Sequence, residues 1–518
     1  MPLSSLHHLN PEELRHLVQG LMSEVAQRDQ VIGEQGRELA WRQAKIDKLT
    51  HELSLHKRWR FGVKTEHWPV EQARLFEETV EADQAAMEAE QEQLCAPGPQ
   101  AGAEKRQPKR KPLPPELPRT DIHHEPESTT CPCGCALQRI GEDVAEKLDY
   151  TPGVFTVERH IRGKWVCRQC ETLTQAPVPA HVIDKGLPTT GLLAQVLIAK
   201  YVDHLPLYRQ EALFGRAGLA IPQSTLAQWV GQMGVALHPL AEALKAEMLS
   251  HRVLHADETP VAMLDPGAGK THRAYLWSYS VGAFEPMKAV VYDFAESRAG
   301  RHAQDFLGAW RGTLVCDDYA GYKALLAQGL TEAGCLAHAR RKFFDLHSQN
   351  QSLIAGEALD FFGRLYGIER EVAELAIDER RRIRQEKAKP VADELHAWLT
   401  RQRQRVPNGS ATARAIDYSL KRWAALTHYL ADGQVPIDNN WIENRIRPIA
   451  LGRKNWLFAG SLRAGQRAAA IMSLVQSARL NGHDPYAYLK DVLTRLPTQP
   501  NSQIGELLPH RWKAQAST

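Results

Sequence analysis

The sequence predicts a multidomain α+β protein. Three features point there: a seven-residue apolar repeat near the start, paired cysteine turns around an alternating stretch, and strand-like runs set between long helical segments. A chain of 518 residues is too long for one core, so three or more structural units are expected. Hydrophobic residues make up 43% of it, as suits a globular protein, and no apolar run is long enough to span a bilayer. The opening "MPLSSLHHLNPEELRHL" has no basic start followed by an apolar core, so a secretory signal is not expected and a cytoplasmic location is.

Val18, Val25, Ile32, Leu39, Ile46 and Leu53 recur every seven residues, and Leu14, Leu21 and Leu49 supply part of a second seam. Such a seam predicts a coiled-coil helix over residues 10–60 and a self-associating chain. Arg28, Gln35 and Arg42 interrupt the second seam, and Gly33 and Gly36 weaken the helix. Residues 61–120 follow as an acidic, Gln/Ala-rich segment and then a basic, proline-rich linker.

Five of the eight cysteines lie in "CPCGC" at 131–135 and "CRQC" at 167–170, with the alternating "VFTVERHIRGKWVC" between them. Two cysteine turns joined by a hairpin predict a zinc ribbon over 121–180, because a unit this small needs the ion to fold. Cys167 and Cys170 have the spacing zinc favours. The first pair is drawn from Cys131, Cys133 and Cys135, with Cys131 and Cys133 preferred and Cys135 in competition. Residues 185–250 read as helices. "LPLYRQEALFGRAGLAIPQSTLAQWVGQM" has a helix-turn-helix outline that fits either a DNA-reading pair or a plain helical hairpin.

After Leu249 the texture changes to three strand-like runs, "HRVLHADETPVAML", "RAYLWSYSVG" and "KAVVYDF", then a helix, then the strand "GTLVCDDYAGY". Asp257 is expected at the end of the first strand and Asp317/Asp318 at the end of the fourth, where ligands collect in an open sheet. Converging carboxylates repel unless a cation sits between them. Magnesium takes hard oxygen ligands of this kind, and a pair of ions can activate a hydroxyl and stabilise a leaving oxygen. In "IDNNWIENRIRP" (437–448), Glu443 would complete the site, leaving Arg445 and Arg447 to face a nucleic-acid backbone.

The stretches "HADETPV", "CDDYAGY", "CLAHARRKFF", "PIDNNWIENRIRPIALGRKNWLFAGS" and "DPYAYLKDVL" resemble the transposases of the insertion-sequence-66 family, and "RWRFGVKTE", "IGEDVAEKLDY" and the cysteine turns extend the likeness over nearly the whole chain. The resemblance implies an RNase H-like catalytic domain and DNA cleavage with strand transfer at the ends of a bacterial mobile element. It further implies Asp257, Asp317 and Glu443 as ligands of two magnesium ions, a structural zinc, DNA as partner, and helper proteins from the same element. Two departures stand out. "CPCGC" is one residue shorter than the family's Cys-x-x-Cys-Gly. Asp317-Asp318-Tyr319 replaces the family's Asp-Gly-Tyr, and the likeness then favours Asp317 over Asp318.

On this reading the catalytic core occupies 251–347 and resumes at 436–480, with a helical insertion over 348–435 and a C-terminal segment over 481–518. Cys335-x-x-His338 has the spacing of half a zinc site, but no further cysteine follows, so His338 is expected to pack or to contact phosphate. Arg341, Lys342, Arg453 and Lys454 join Arg445 and Arg447 as candidates for DNA-backbone contacts, and the run "ERRRIRQEKAK" is a further basic cluster. A catalytically inactive, zinc-containing DNA-binding regulator and a structure-specific nuclease of the same fold are the competing readings.

Overall fold

The structure, a computed structural model, describes residues 11–61, 70–94, 113–151, 153–183, 186–265 and 270–514. The proline-rich basic linker falls largely at 95–112, outside the described residues. The chain divides into two units, Met1–His67 with Asp83–Lys111, and Trp68–Ala82 with Pro112–Thr518.

The first unit is built on α1 (Pro11–Phe61) and the later part of α2 (Val70–Leu94). Lys48 and Glu88 pair across these two helices at 3.4 Å. The expected apolar seam is exposed: Val18, Val25, Ile32, Leu39 and Ile46 are between 47% and 65% accessible. Leu14 and Leu53 carry side chains outside the described set.

The second unit opens with β1 (Arg119–His124), β2 (Gln138–Thr151), β3 (Val154–Val166) and β4 (Leu173–Gln175), in the order β1-β3-β2 with β4 on the free part of β3. The cysteine turns sit before β2 and between β3 and β4. Three helices follow, α3 (Thr190–Tyr201), α4 (Leu207–Arg216) and α5 (Gln223–Met248). The helix-turn-helix outline is present as α4 and α5. Yet α5 is the spine of the core, burying Leu226, Trp229, Val230, Met233, Leu237, Leu240 and Leu244. A helix so enclosed has little free surface to lay in a DNA groove, so its burial supports the structural reading of the pair.

A mixed sheet comes next: β5 (Val253–Asp265), β6 (Lys270–Val281), β7 (Val290–Ala295), then α6 (Gly300–Leu307), β8 (Thr313–Cys316), the short α7 (Lys323–Ala327) and β9 (Thr331–Gly334). The strand order is β7-β6-β5-β8-β9. The first three strands run antiparallel as hairpins, while β8 and β9 run parallel to β5. All four residues of β8 are buried, as expected of a strand with parallel neighbours and covered faces.

The helices that follow are α8 (Leu336–Asn350), α9 (Leu353–Val372), α10 (Ile377–Ile383), α11 (Lys389–Arg403), α12 (Ala411–Lys421), α13 (Trp423–Ala431), α14 (Asn440–Trp456), α15 (Leu462–Leu480) and α16 (Pro485–Arg495). One face of the sheet, through Leu254, Ala256 and Leu314, shares a core with α5 and α15. The other, through Val253, Val315 and Ala333, shares a second core with α8, α9, α11, α12 and α13. The edge strand β7 is closed off by α15, whose Ser473 and Ser477 hydroxyls accept from the backbone N–H groups of Tyr292 and Val290 at 2.8 and 3.0 Å.

The basic run "ERRRIRQEKAK" is divided: Arg381, Arg382, Lys387 and Lys389 are exposed, whereas Arg380 and Arg384 turn inward. Arg384 is fully buried, paired with Glu369 at 2.6 Å and donating to the carbonyls of Tyr429, Asp432 and Val435. Arg380 is buried over the Phe284 ring at 3.5 Å. Buried guanidiniums need this many acceptors, and they spend their charge on holding the helices together.

Candidate active site and cysteine cluster

The parallel register of β5 and β8 pairs His255 with Val315, and continuing it two residues sets Asp257 level with Asp317. Side chains alternate along a strand, so Val253, His255 and Asp257 share one side of β5. Val315 belongs to the same core as Val253, and that alternation carried past the end of β8 gives Asp317 the same side. Asp257 lies within β5 rather than at its end, two residues beyond the last pairing with β8.

Burial pushes the Asp257 carboxyl up to about 8, and the charges of Glu258, Asp317 and Glu443 push the same way. Asp317 Oδ1 accepts from the Tyr319 N–H at 3.0 Å. Asp318 is spent elsewhere: it pairs with Arg422, which also holds Glu332.

Glu443 arrives from the first turn of α14, and buried Asn439 is what aims that turn. The Asn439 amide nitrogen donates to the Ala256 carbonyl at 2.9 Å, and its oxygen accepts from His255 Nδ1 at 2.7 Å. Its backbone N–H points at Cys335 Sγ, 3.3 Å away, at the start of α8. The neighbouring Asp438 accepts from the Asn440 N–H at 3.0 Å and from Tyr366 Oη of α9 at 2.8 Å. Gly452 further along α14 permits the approach of His204, whose ring occupies the space a β-carbon would need.

Glu443 is partly exposed, with His338 Nδ1 at 3.7 Å and Arg341 at 3.8 Å. Residues 443, 447 and 454 share one side of α14, so Glu443, exposed Arg447 and exposed Lys454 line up. Exposed Arg341 and Lys342 lie on α8, the latter with its ammonium 4.5 Å from the Tyr418 ring. Arg445 and Arg453 are engaged. Arg445 stacks on Trp441 at 4.0 Å, and Arg453 donates to the Pro260 carbonyl at 2.6 Å.

Sequence reasoning missed a second charged cluster on the opposite side of β5. Glu258 is buried, accepting from Arg298 Nε at 2.7 Å and from Tyr322 Oη at 2.9 Å, and Arg298 lies 3.9 Å over the Tyr319 ring. The signal was present as the adjacent acids of "HADETP" and the paired tyrosines of "DYAGY".

The cysteine cluster is formed by Cys131, Cys133, Cys167 and Cys170, whose sulfur atoms all lie within 4.8 Å of one another. Cys131 is 3.1 Å from Cys170, and Cys133 is 3.7 Å from both Cys167 and Cys170. Sulfurs about 2.3 Å from a tetrahedral zinc lie roughly 3.8 Å apart, so the four fit that ion. Gly134 takes a φ of 86°, which glycine adopts without strain and which lets the short "CPCGC" turn close. Cys170 is drawn down to about 6, chiefly by the Thr172 hydroxyl and then by Cys131. Cys135 lies outside that set of four, and its thiol donates to the Gln169 side-chain oxygen at 2.7 Å.

Residues 185–467 match the family described as "Transposase IS66 family". The chain belongs to that family. Residues 473–510 match the IS66 C-terminal element, 128–171 the zinc-finger binding domain of transposase IS66, and 48–122 the family described as "Transposase C of IS166 homeodomain". The uncharacterized protein y4jD of Sinorhizobium fredii is 39% identical over 418 residues, covering 78% of this chain and 82% of its own. Its companion y4hP, from the same organism, is 38% identical over 439 residues, covering 80% and 79%. IS66 membership brings with it a catalytic domain of the Asp-Asp-Glu type, and so phosphoryl transfer as the class of chemistry. Among the described residues no helix is long and apolar enough to cross a membrane.

The raised carboxyl of Asp257 has a consequence for stability. Between its unfolded value near 3.8 and about 8, the folded chain binds the extra proton, so metal-free stability falls as pH rises through that window. A divalent cation held by Asp257 would replace that proton and relieve the repulsion. Magnesium or manganese is therefore expected to raise Tm more at pH 8.5 than at pH 6, and Asp257→Asn to abolish the difference. Thermal melts with and without the cation measure it, and an equal shift at both pH values contradicts it.

Proposed function

We propose that this IS66-family chain is a transposase that cuts DNA at the ends of a bacterial insertion sequence and joins them to a target, with Asp257, Asp317 and Glu443 as its metal-binding acids. The observation that carries the reading is geometric: the parallel register of β5 and β8, carried two residues on, sets Asp257 level with Asp317, and the Asn439 side chain ties the start of α14, which bears Glu443, to the same strand. The sheet order, three antiparallel strands followed by two parallel to the first, is that of an RNase H-like core. In this division the core spans 251–347 and 436–480, interrupted by the helices of 348–435.

Three hard oxygen donors suit magnesium, and the waters it keeps would leave room for substrate phosphate. Two such ions would supply an activated hydroxyl and charge stabilisation for the leaving oxygen. This chain's residues do the positioning. Asp257 and Asp317 present oxygens from one side of the sheet, and Glu443 closes the set from α14. The Asp318–Arg422 pair keeps the adjacent acid out of it. Arg341 and Lys342 on α8 and Arg447 and Lys454 on α14 are exposed on the two helices that flank the site and would hold the DNA backbone without reading sequence. Arg445, Arg453 and His338 have protein partners nearby and would contribute secondarily. The four-cysteine cluster takes zinc as a structural ion.

Cutting two element ends in one complex calls for paired enzymes, and the exposed stripe of α1 offers the pairing surface.

Two measurements test this reading. In a cleavage assay on element-end DNA, Asp257→Asn, Asp317→Asn and Glu443→Gln should each lose at least about a thousandfold in rate while binding DNA normally, because the chemistry is mostly positioning and charge stabilisation. Asp318→Asn should retain cleavage; the reverse result for the two neighbouring acids reassigns the second ligand, and normal cleavage by Glu443→Gln overturns the site. In sedimentation, the whole chain should run as a dimer or larger, and Ile32→Glu with Leu39→Glu should shift it to monomer. A wild-type monomer at high micromolar concentration contradicts the pairing.

A further inference from the structure

We propose that Cys335, His338 and Glu443 form a second transition-metal site, zinc-binding and separate from the cysteine cluster, at the junction of α8 and α14. Cys335 occupies the N-cap position of α8, without a side-chain capping bond, and His338 follows three residues on in the first turn. On sequence alone this half-site lacks partners. The Asn439 clamp supplies one by pressing the first turn of α14 against α8, which brings Glu443 to them.

The sulfur, a ring nitrogen and a carboxylate oxygen all lie within 4.8 Å of one another, with His338 Nδ1 and Glu443 Oε1 at 3.7 Å. Around a tetrahedral zinc, such atoms stand roughly 3.3 to 3.8 Å apart. Those same two atoms are buried and make no hydrogen bond. Two buried acceptors or donors that face each other unsatisfied cost free energy unless something lies between them. The Cys335 sulfur is buried too, which pushes its thiol up, and the Asn439 backbone N–H it receives offsets part of that.

The donor set fixes the class of ion. One sulfur, one imidazole and one carboxylate suit zinc or cobalt, whereas magnesium and calcium avoid sulfur. Three protein ligands leave a fourth position for water or for a phosphate oxygen of bound DNA. The proposal rests on the acid-site reading only through Glu443, a residue the two would share. One oxygen faces His338, and the other is directed toward Arg341 at 3.8 Å.

Metal content of the full chain is the test, read by elemental analysis after zinc loading and desalting, with no DNA present. The wild type should carry two zinc ions, and His338→Gln and Cys335→Ser should each carry one fewer. Cys167→Ser should lose the other ion, and Asp257→Asn should keep both. If Cys335→Ser does not fold, His338→Gln, at a half-buried position on the helix surface, decides alone. Cobalt loading gives an independent readout, since removing Cys335 should delete one thiolate-to-cobalt absorption component while leaving that of the four-cysteine cluster. A zinc count that does not fall in folded His338→Gln overturns the proposal, whatever the cleavage assay gives. Normal cleavage by a Glu443→Gln variant that has lost one zinc would instead remove the acid-site reading and leave this one standing.

Discussion

The buried side chain of Asn439 is the contact on which the arrangement of the site depends. A carboxamide at 1% exposure is costly unless its donors and acceptor are met. Here the Ala256 carbonyl and the His255 ring meet them, both on the strand that carries Asp257. The chain leaves the sheet after β9, runs through α8 to α13, and must return Glu443 to within reach of that strand. Leu336 N–H donating to the Ile437 carbonyl at 3.1 Å, and Asn439 N–H to Cys335, bring the two ends of that excursion together. Asp438 then ties the junction to α9 through Tyr366. The "IDNN" stretch is thus a connector whose polar groups bond β5, α8 and α9 as well as one another.

Charge distribution around β5 follows from that geometry. The acids near the site divide into those with a resident cation and those without. Glu258 has Arg298, and Asp318 and Glu332 have Arg422. Asp257, on the side facing α14, has no hydrogen bond from a basic side chain among the described residues, and its carboxyl is the one driven up to about 8. A carboxylate held beside other acids with no basic side chain bonded to it is a common signature of a place built for an external cation.

Much of this was legible from the residues. The order of strands, the lone helix before β8, the cysteine turns and the long helical stretch after α8 follow from hydrophobic period and turn residues, which are local signals. Alternation alone could not favour Asp317, because a strand's phase is set by which core it faces; Val315 falling in the same core as Val253 now supports that preference. Asn439, Glu258 and Tyr322 stayed hidden for a related reason: each matters through a partner distant in sequence. The same cause explains the errors. The arginines at 380 and 384 look like surface charge in composition and are buried braces in the fold. For α5 the residues left a DNA-reading pair and a plain helical hairpin both open, because how much of a helix is enclosed depends on partners distant in sequence.

The central claim is that Asn439 aims Glu443 at the strand acids, and binding of manganese by the Asn439→Ala variant tests it most directly. With folding checked by near-ultraviolet circular dichroism, the account predicts manganese affinity, read by electron paramagnetic resonance, weaker by roughly 10- to 100-fold, as when a residue that orients metal ligands is removed. A folded Asn439→Ala protein that binds manganese as tightly as the wild type, while Glu443→Gln binds it less tightly, would contradict the account.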